Sequence, residues 1–155
     1  KIFLAPEANP CPITLKKIAE ADAIIIGPGD LYTSLLQTLL INGLGEAIIK
    51  SSAKKILICN LMTKRGESNN FNVQDFSNEI ERYLGGELDY VIYNSAEPSK
   101  KRLSQYLKER SELLSMVEVP LGLDNKKFIG ADLLELRGPI VHNPIVLNKI
   151  ILKLI

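Results

Sequence analysis

Cysteine is scarce in this chain: Cys11 and Cys59 are the only two in 155 residues. Two thiols are too few for a disulfide framework or a cysteine-rich metal cluster. Histidine is scarcer still, with His142 alone. No cysteine or acid spacing around it supports a nucleophilic triad, so a structural or surface role is expected. An excess of charge of one sign is also missing, since the formal net charge is +1. Bulk charge therefore offers no argument for nucleic acid or an anionic membrane as partner. No uninterrupted apolar run approaches the ~20 residues a membrane helix needs. The N-terminal apolar run meets Pro6 at once and does not read as a signal peptide. Internal repeats, low-complexity tracts and linkers are absent too. The expectation is one domain in a reducing cytoplasm. Lys1 is not an initiator methionine, so a fragment of a longer protein is also expected.

What is present is the composition of an ordinary globule, 46% hydrophobic and 24% charged residues. The stretch that organises the rest is Gly27-Pro28-Gly29-Asp30-Leu31-Tyr32-Thr33-Ser34. An apolar run, Ala23 to Ile26, precedes it, and a leucine-rich segment follows. Together they read as a strand, a glycine turn and a helix. Asp30 is placed as the helix N-cap. Leu31, Leu35 and Leu39 form its apolar stripe, widened by Leu36 and Leu40.

Further elements follow in order. Ile2 to Leu4 reads as a short strand, Ala5 to Pro12 as a proline-rich loop, and Thr14 to Ala21 as a helix. Ala23–Ile26 and Ile56–Cys59 are apolar on both faces, as in the interior of a parallel sheet. Glu46 to Ser51 reads as helical, and Asn60 to Asn70 as a long polar loop. Val73 to Leu84 is a helix with Phe76, Ile80 and Leu84 on one face, stopped by Gly85-Gly86. Tyr90–Tyr93 is a strand, Lys100–Leu114 an amphipathic helix, and Met116–Val119 a strand. Asp124 to Lys127 is a turn. Ala131–Leu136 and Pro139–Val141 are short extended pieces. Asn143-Pro144 opens a terminal helix. Strands alternating with helices predict an α/β fold: a Rossmann-like parallel sheet with flanking helices and right-handed crossovers.

In such a sheet the loops after Ile26, Cys59 and Tyr93 emerge on one edge, where ligands bind. The candidate ligand-binding residues are therefore Gly27, Gly29, Asp30, Tyr32, Thr33, Ser34, Asn60, Met62, Thr63, Gly66, Glu67 and Asn94. Glycines admit close backbone approach, and Thr33 and Ser34 offer hydroxyls to phosphate or sugar oxygens. The turn by itself equally fits a plain strand-to-helix connection. The Asp30 carboxylate competes with an anion for the same N–H groups, and suits a sugar hydroxyl, a base N–H or a metal bridging a diphosphate. Lys64-Arg65 reads either as a diphosphate holder or as solvated charge. Glu67 reads as a ribose or metal ligand, or as a helix cap. Cys59 and the tyrosines 90, 93 and 106 read as core.

These motifs resemble the CofD-like superfamily. Gly27 to Ser34, followed by Asn60-Leu61-Met62-Thr63 and Gly66-Glu67, is most similar to its YvcK branch, the UPF0052-type gluconeogenesis factors. The tail around Asp132-Leu133-Leu134 and Val141 to Pro144 is similar as well. The resemblance implies a Rossmann-like fold and a nucleotide-derived ligand. In the YvcK branch that ligand is a UDP-sugar such as UDP-N-acetylglucosamine, tied to cell shape and carbon metabolism. In the transferase branch a magnesium-dependent 2-phospho-L-lactate transferase moves its group from a guanosine diphosphate-lactate donor to a deazaflavin. Gly29-Asp30-Leu31-Tyr32 departs from the transferase's Pro-Ser-Asn-Pro type segment and favours the YvcK side.

On that reading Asp30, Tyr32 and Thr33 face base and sugar. Asn60, Thr63 and Gly66 hold the diphosphate, and Asn94 closes the cleft. No cofactor is needed; on the transferase reading Asp30 or Glu67 holds magnesium. The family's glycine-rich opening turn is absent, so residues 1–155 are expected to be the C-terminal portion of a CofD-like domain. Lys64-Arg65 replaces a common Gln-Pro. The apolar terminal helix, with Ile145, Ile150, Ile151 and Leu152, leads to the expectation of a homo-oligomer or of a missing partner segment.

Overall fold

The computed structural model describes residues 2–155; Lys1 lies outside them. In chain order the elements are α1 (Pro12–Glu20), β1 (Ala23–Ile26), a π-helical segment (Leu31–Leu36) running into α2 (Gln37–Leu39), and α3 (Leu44–Lys50). Then come β2 (Lys54–Ile58), β3 (Met62–Lys64), α4 (Val73–Leu84), β4 (Tyr90–Asn94), α5 (Lys100–Glu109), β5 (Leu113–Met116), β6 (Phe128–Ala131) and α6 (Pro144–Leu154). The main sheet is parallel throughout, in the order β1-β2-β4-β6. A separate antiparallel pair joins β3 to β5. The α/β fold with a parallel sheet and flanking helices is thus the one the sequence predicts.

Side chains alternate across each strand, and the central strands bury both sets. Leu57 and Val91 face a core built with Leu36, Ile48, Phe76 and Ile80. Ile56 and Ile92 face the other way, onto Leu133 and the α6 residues Val146, Leu147, Ile150 and Ile151. Ile56, Val91 and Ile92 have no exposed surface. Burying each such side chain contributes about 1.5–3 kcal/mol. An exposed pair such as Lys50–Glu46, with side chains 77% and 75% exposed, contributes about 0–1 kcal/mol. The sheet core dominates. The packing of α6 on the sheet accounts for much of its apolar character, while Ile145 and Leu152 stay exposed.

α4 forms where its pattern places it. Asn72 accepts from the Gln74 and Asp75 N–H groups, and Asp75 returns a bond to the Asn72 N–H, completing a capping box. Gly85, at φ 77°, ends the helix in the left-handed conformation. At α6, Asn143 accepts from the N–H groups of Ile145 and Val146, and Pro144 opens the helix as expected.

Several expectations are corrected. Ile2–Leu4 pairs with no strand; Ile2 packs against the core instead. β1 is an edge strand, and Ile25 is 40% exposed, so it is not buried on both faces. The segment after the glycine turn is π-helical, with the Leu35 N–H reaching the Asp30 carbonyl. Five-residue turns align Leu31 with Leu36, both buried, and leave Leu35 half-buried. The loop after β2 contains a strand, β3. The helix read as Lys100–Leu114 stops at Glu109, and the next strand starts at Leu113, pairing with Lys64 of β3. Phe128–Ala131, not the stretch after it, supplies the fourth main-sheet strand.

The glycine turn is packed tightly against this frame. Gly27 lies at φ 83°, and a Cβ there would stand 3.0 Å from the Ile58 carbonyl oxygen. Gly27→Ala is expected to lower stability by about 1–3 kcal/mol. Urea denaturation should show a reduced midpoint with an unchanged slope.

Candidate functional site

The carboxyl ends of β1 and β2 open into a cleft of about 580 Å³. Its polar walls are Asp30, Asn60, Lys64, Arg110, Glu112 and His142; Tyr106, Leu61 and Ile140 supply apolar surface. Four separate segments meet here: the glycine turn, the segment from Asn60 to Lys64, the corner between α5 and β5, and the stretch from Ile140 to His142. Of the sequence-predicted residues, Gly29, Asp30, Asn60 and Met62 line the cleft.

Asn60 ties two of the segments together. Its amide Nδ2 donates to the Gly29 carbonyl oxygen at 2.9 Å, and its own oxygen accepts from no group among the described residues. Asp30 does not cap the helix with its side chain. Its carboxylate accepts from the Lys64 ammonium. The same ammonium lies 3.1 Å from Glu67 Oε1. Glu67 also accepts from Thr33 Oγ1 at 3.1 Å and from the Tyr32 N–H at 3.4 Å. The protein's own carboxylate therefore takes a helix-start amide that an anionic ligand would otherwise use. The bonds to Asp30, and then to Glu67, hold the Lys64 ammonium above its ordinary pKa.

The remaining predicted residues are placed elsewhere. Tyr32 points to α4: its hydroxyl donates to Glu79 Oε1 at 2.8 Å. Burial and that bond push its phenol up to about 12. Glu79 is in turn held below the usual carboxylate range, chiefly by hydrogen bonds from Arg82. Thr63 is 1% exposed, and its hydroxyl bonds Ser115 Oγ at 3.0 Å across β3 and β5. The Gly66 N–H donates to Asn69 Oδ1 at 2.7 Å, on the far side of the loop turn. Ser34 is exposed, and its carbonyl accepts from Thr38. Gly27 supports the turn from beneath. Asn94 is committed to the chain around it, accepting from the Leu133 N–H at 3.1 Å and donating to the Ala96 carbonyl. It borders a different cavity, with Met116 to Val119.

The structure adds to the cleft residues that the sequence reading did not place there, Tyr106 among them, which was read as core. Arg110, Glu112 and Tyr106 face the cleft because α5 ends early and the chain turns back into β5. No local signal marks this, because the helical spacing of the sequence runs on to Leu114. His142 reaches the cleft from the other side, and its Nε2–H donates to the Cys59 carbonyl at 3.2 Å. Burial lowers its pKa, partly offset by that bond. Burial also pushes the Cys59 thiol up to about 12, so it stays protonated.

Fold and cleft define a class: an open parallel α/β protein whose cleft lies beyond the carboxyl ends of its strands. The sequence model described as "2-phospho-L-lactate transferase CofD" matches residues 1–133, and the chain belongs to the CofD family. Relatives of the gluconeogenesis-factor kind match it as well. The gluconeogenesis factor of Bacillus subtilis is 37% identical over 136 residues, covering 86% of this chain and 41% of that protein. That of Halalkalibacterium halodurans is 39% identical over 114 residues, covering 72% and 35%. A crystallised Bacillus halodurans protein superimposes with a TM-score of 0.86 at 32% identity, covering 97% of this chain and 49% of that one. A second crystal structure of the same protein, described there as a member of the UPF0052 family, gives a TM-score of 0.82. The chain spans between 26% and 48% of the length of the curated relatives it matches. Among the described residues, no helix is long and apolar enough to cross a membrane.

The half-buried imidazole gives a pH dependence. With its folded pKa below the ordinary 6.5, His142 takes up its proton more readily in the unfolded chain. Its contribution is present above pH 6.5 and is lost as pH falls through the lower folded value. Melting temperature should therefore drop between pH 7 and 5, and His142→Gln should flatten that slope.

Proposed function

We propose that the protein binds a nucleotide sugar of the UDP-N-acetylglucosamine type and acts as a regulatory protein in carbon metabolism and cell shape, without turning its ligand over. The observation that carries this reading is the meeting of Gly29-Asp30, Asn60 and Lys64 at one strand-end cleft. The cleft's volume falls in the range of about 300–1,000 Å³ typical of small-molecule sites. Lys64 and Arg110 supply cations for a diphosphate. The Asn60 oxygen and the half-exposed Asp30 accept from sugar hydroxyls or a base N–H. Tyr106 offers an aromatic face. The gluconeogenesis-factor name carried by the relatives supports the regulatory role.

A second reading, a 2-phospho-L-lactate transferase, is favoured by the description of the matching family. That reading needs magnesium, for which Asp30 and Glu67 are the candidate ligands. They do not fit it as arranged, because the Lys64 ammonium bonds both carboxylates where the metal would stand.

Thermal denaturation of the full-length protein with UDP-N-acetylglucosamine, and separately with guanosine diphosphate, tests the proposal. A ligand that binds only the folded state raises the melting temperature by mass action. The expected result is a rise with the uridine compound only, and an affinity at least about tenfold weaker in Arg110→Ala, which loses a charged hydrogen-bond donor. No rise with the uridine compound, or catalytic consumption of it, would overturn the reading.

A further inference from the structure

Asp30, Lys64 and Glu67 form a unit that the nucleotide-sugar reading uses only in part. The Lys64 ammonium lies between Asp30 Oδ2 and Glu67 Oε1. Thr33 Oγ1 stands 3.1 Å from Glu67 Oε1 and 3.5 Å from Asp30 Oδ2. Two carboxylates and a hydroxyl converging in this way are the oxygen donors that a hard divalent cation takes. Here one of their two charges is met by the protein's own nitrogen, presented from strand β3 and fixed at its backbone by Ser68 Oγ, 2.9 Å from the Lys64 N–H. Magnesium requires a full shell of oxygens at about 2.0–2.1 Å and cannot share that space with an ammonium group.

We propose that Lys64 is the resident cation of this cleft: its ammonium holds the place between the two carboxylates that a divalent metal would take, so a diphosphate is bound through an ammonium N–H without magnesium. The carboxylate pair takes up metal only when Lys64 is removed. An ammonium has three donors. Two are engaged by Asp30 and Glu67, and the third is left for a phosphate oxygen entering the cleft. The two carboxylates differ in exposure, 46% for the Asp30 side chain and 13% for Glu67. Ion pairs with an exposed partner are weak and readily exchanged. Asp30 is thus the partner more open to solvent, while the less exposed Glu67 keeps the ammonium aimed as its third donor meets the phosphate. The diphosphate half of this proposal rests on the nucleotide-sugar reading; the metal half stands on the geometry of the three residues.

The two halves are tested separately on the full-length protein. In the first arm, uptake of Mn²⁺ without nucleotide is followed through the paramagnetic resonance signal of the free ion. The wild type should take up none at sub-millimolar Mn²⁺, and neither should Lys64→Arg, which keeps the charge. Lys64→Gln should take up one equivalent, and adding Asp30→Asn should abolish it. Uptake by the wild type that disappears in Asp30→Asn would overturn the proposal. So would a folded Lys64→Gln protein, checked by circular dichroism, that takes up none. In the second arm, UDP-N-acetylglucosamine is titrated calorimetrically in EDTA and in excess magnesium. Wild-type affinity should be the same in both. Lys64→Gln should bind more than about tenfold weaker in EDTA, having lost a charge-assisted donor, and recover with magnesium. A tenfold loss of wild-type affinity in EDTA would overturn the proposal. A wild type that binds no nucleotide in either buffer overturns the nucleotide-sugar reading, and the Mn²⁺ arm then decides the role of Lys64.

Discussion

The constraint on which the rest of the structure depends is that β2 and β4 are covered on both faces. Ile56 and Ile92 point to α6, and Leu57 and Val91 point to the helices opposite. Strands that are apolar on both sides need helices above and below, and crossovers through those helices return each strand parallel to the last. Parallel strands put every carboxyl end on one edge. The cleft is therefore a consequence of how the core is buried, and its walls are the loops that leave that edge.

The glycine turn shows how packing and ligand access can ask for the same residue. Gly27 is required by its left-handed φ and by the Ile58 carbonyl beneath it. At Gly29 a Cβ would stand 3.1 Å from Leu35 Cδ2, so Leu35 already packs close to the turn. The glycines are explained by the turn itself before any ligand is considered. What turns the place into a candidate site is the convergence on it of Asn60, Lys64 and Arg110 from distant parts of the chain.

Charge in the cleft is organised internally. Asp30 and Glu67 share one ammonium, and Glu67 also receives Tyr32 and Thr33 from the start of the π-helical segment. The segment after β3 is thereby tied to the glycine turn through side chains, while Tyr32 is tied to α4 through Glu79 and Arg82. The loop that reads as free and polar in the sequence is held at several points. Its backbone joins in, since Lys64 pairs with Leu113 of β5 and the Arg65 N–H donates to the Glu112 carbonyl just before that strand.

Local pattern by itself determined the elements whose signals are local. α4 follows from Phe76, Ile80 and Leu84 with a cap before and a glycine after; α6 follows from Asn143-Pro144; and the central strands follow from short apolar runs. The family was legible too, because the motifs after β1 and β2 are long and lie in the right order. Only the tertiary structure decided that Met62–Lys64 and Leu113–Met116 pair as strands. A three-residue strand has too short a pattern to be read, and pairing with a partner some fifty residues away overrides the helical spacing that runs up to Leu114. The same pairing decided the site. It buried Thr63 against Ser115, sent Lys64 toward Asp30, and brought Arg110 and Tyr106 to the cleft. Sequence spacing places a residue on an element, but which side chains share a cleft depends on how the elements pack. Asn94 shows the limit: it stands at the carboxyl edge as expected, yet its amide is taken up by the chain beside it.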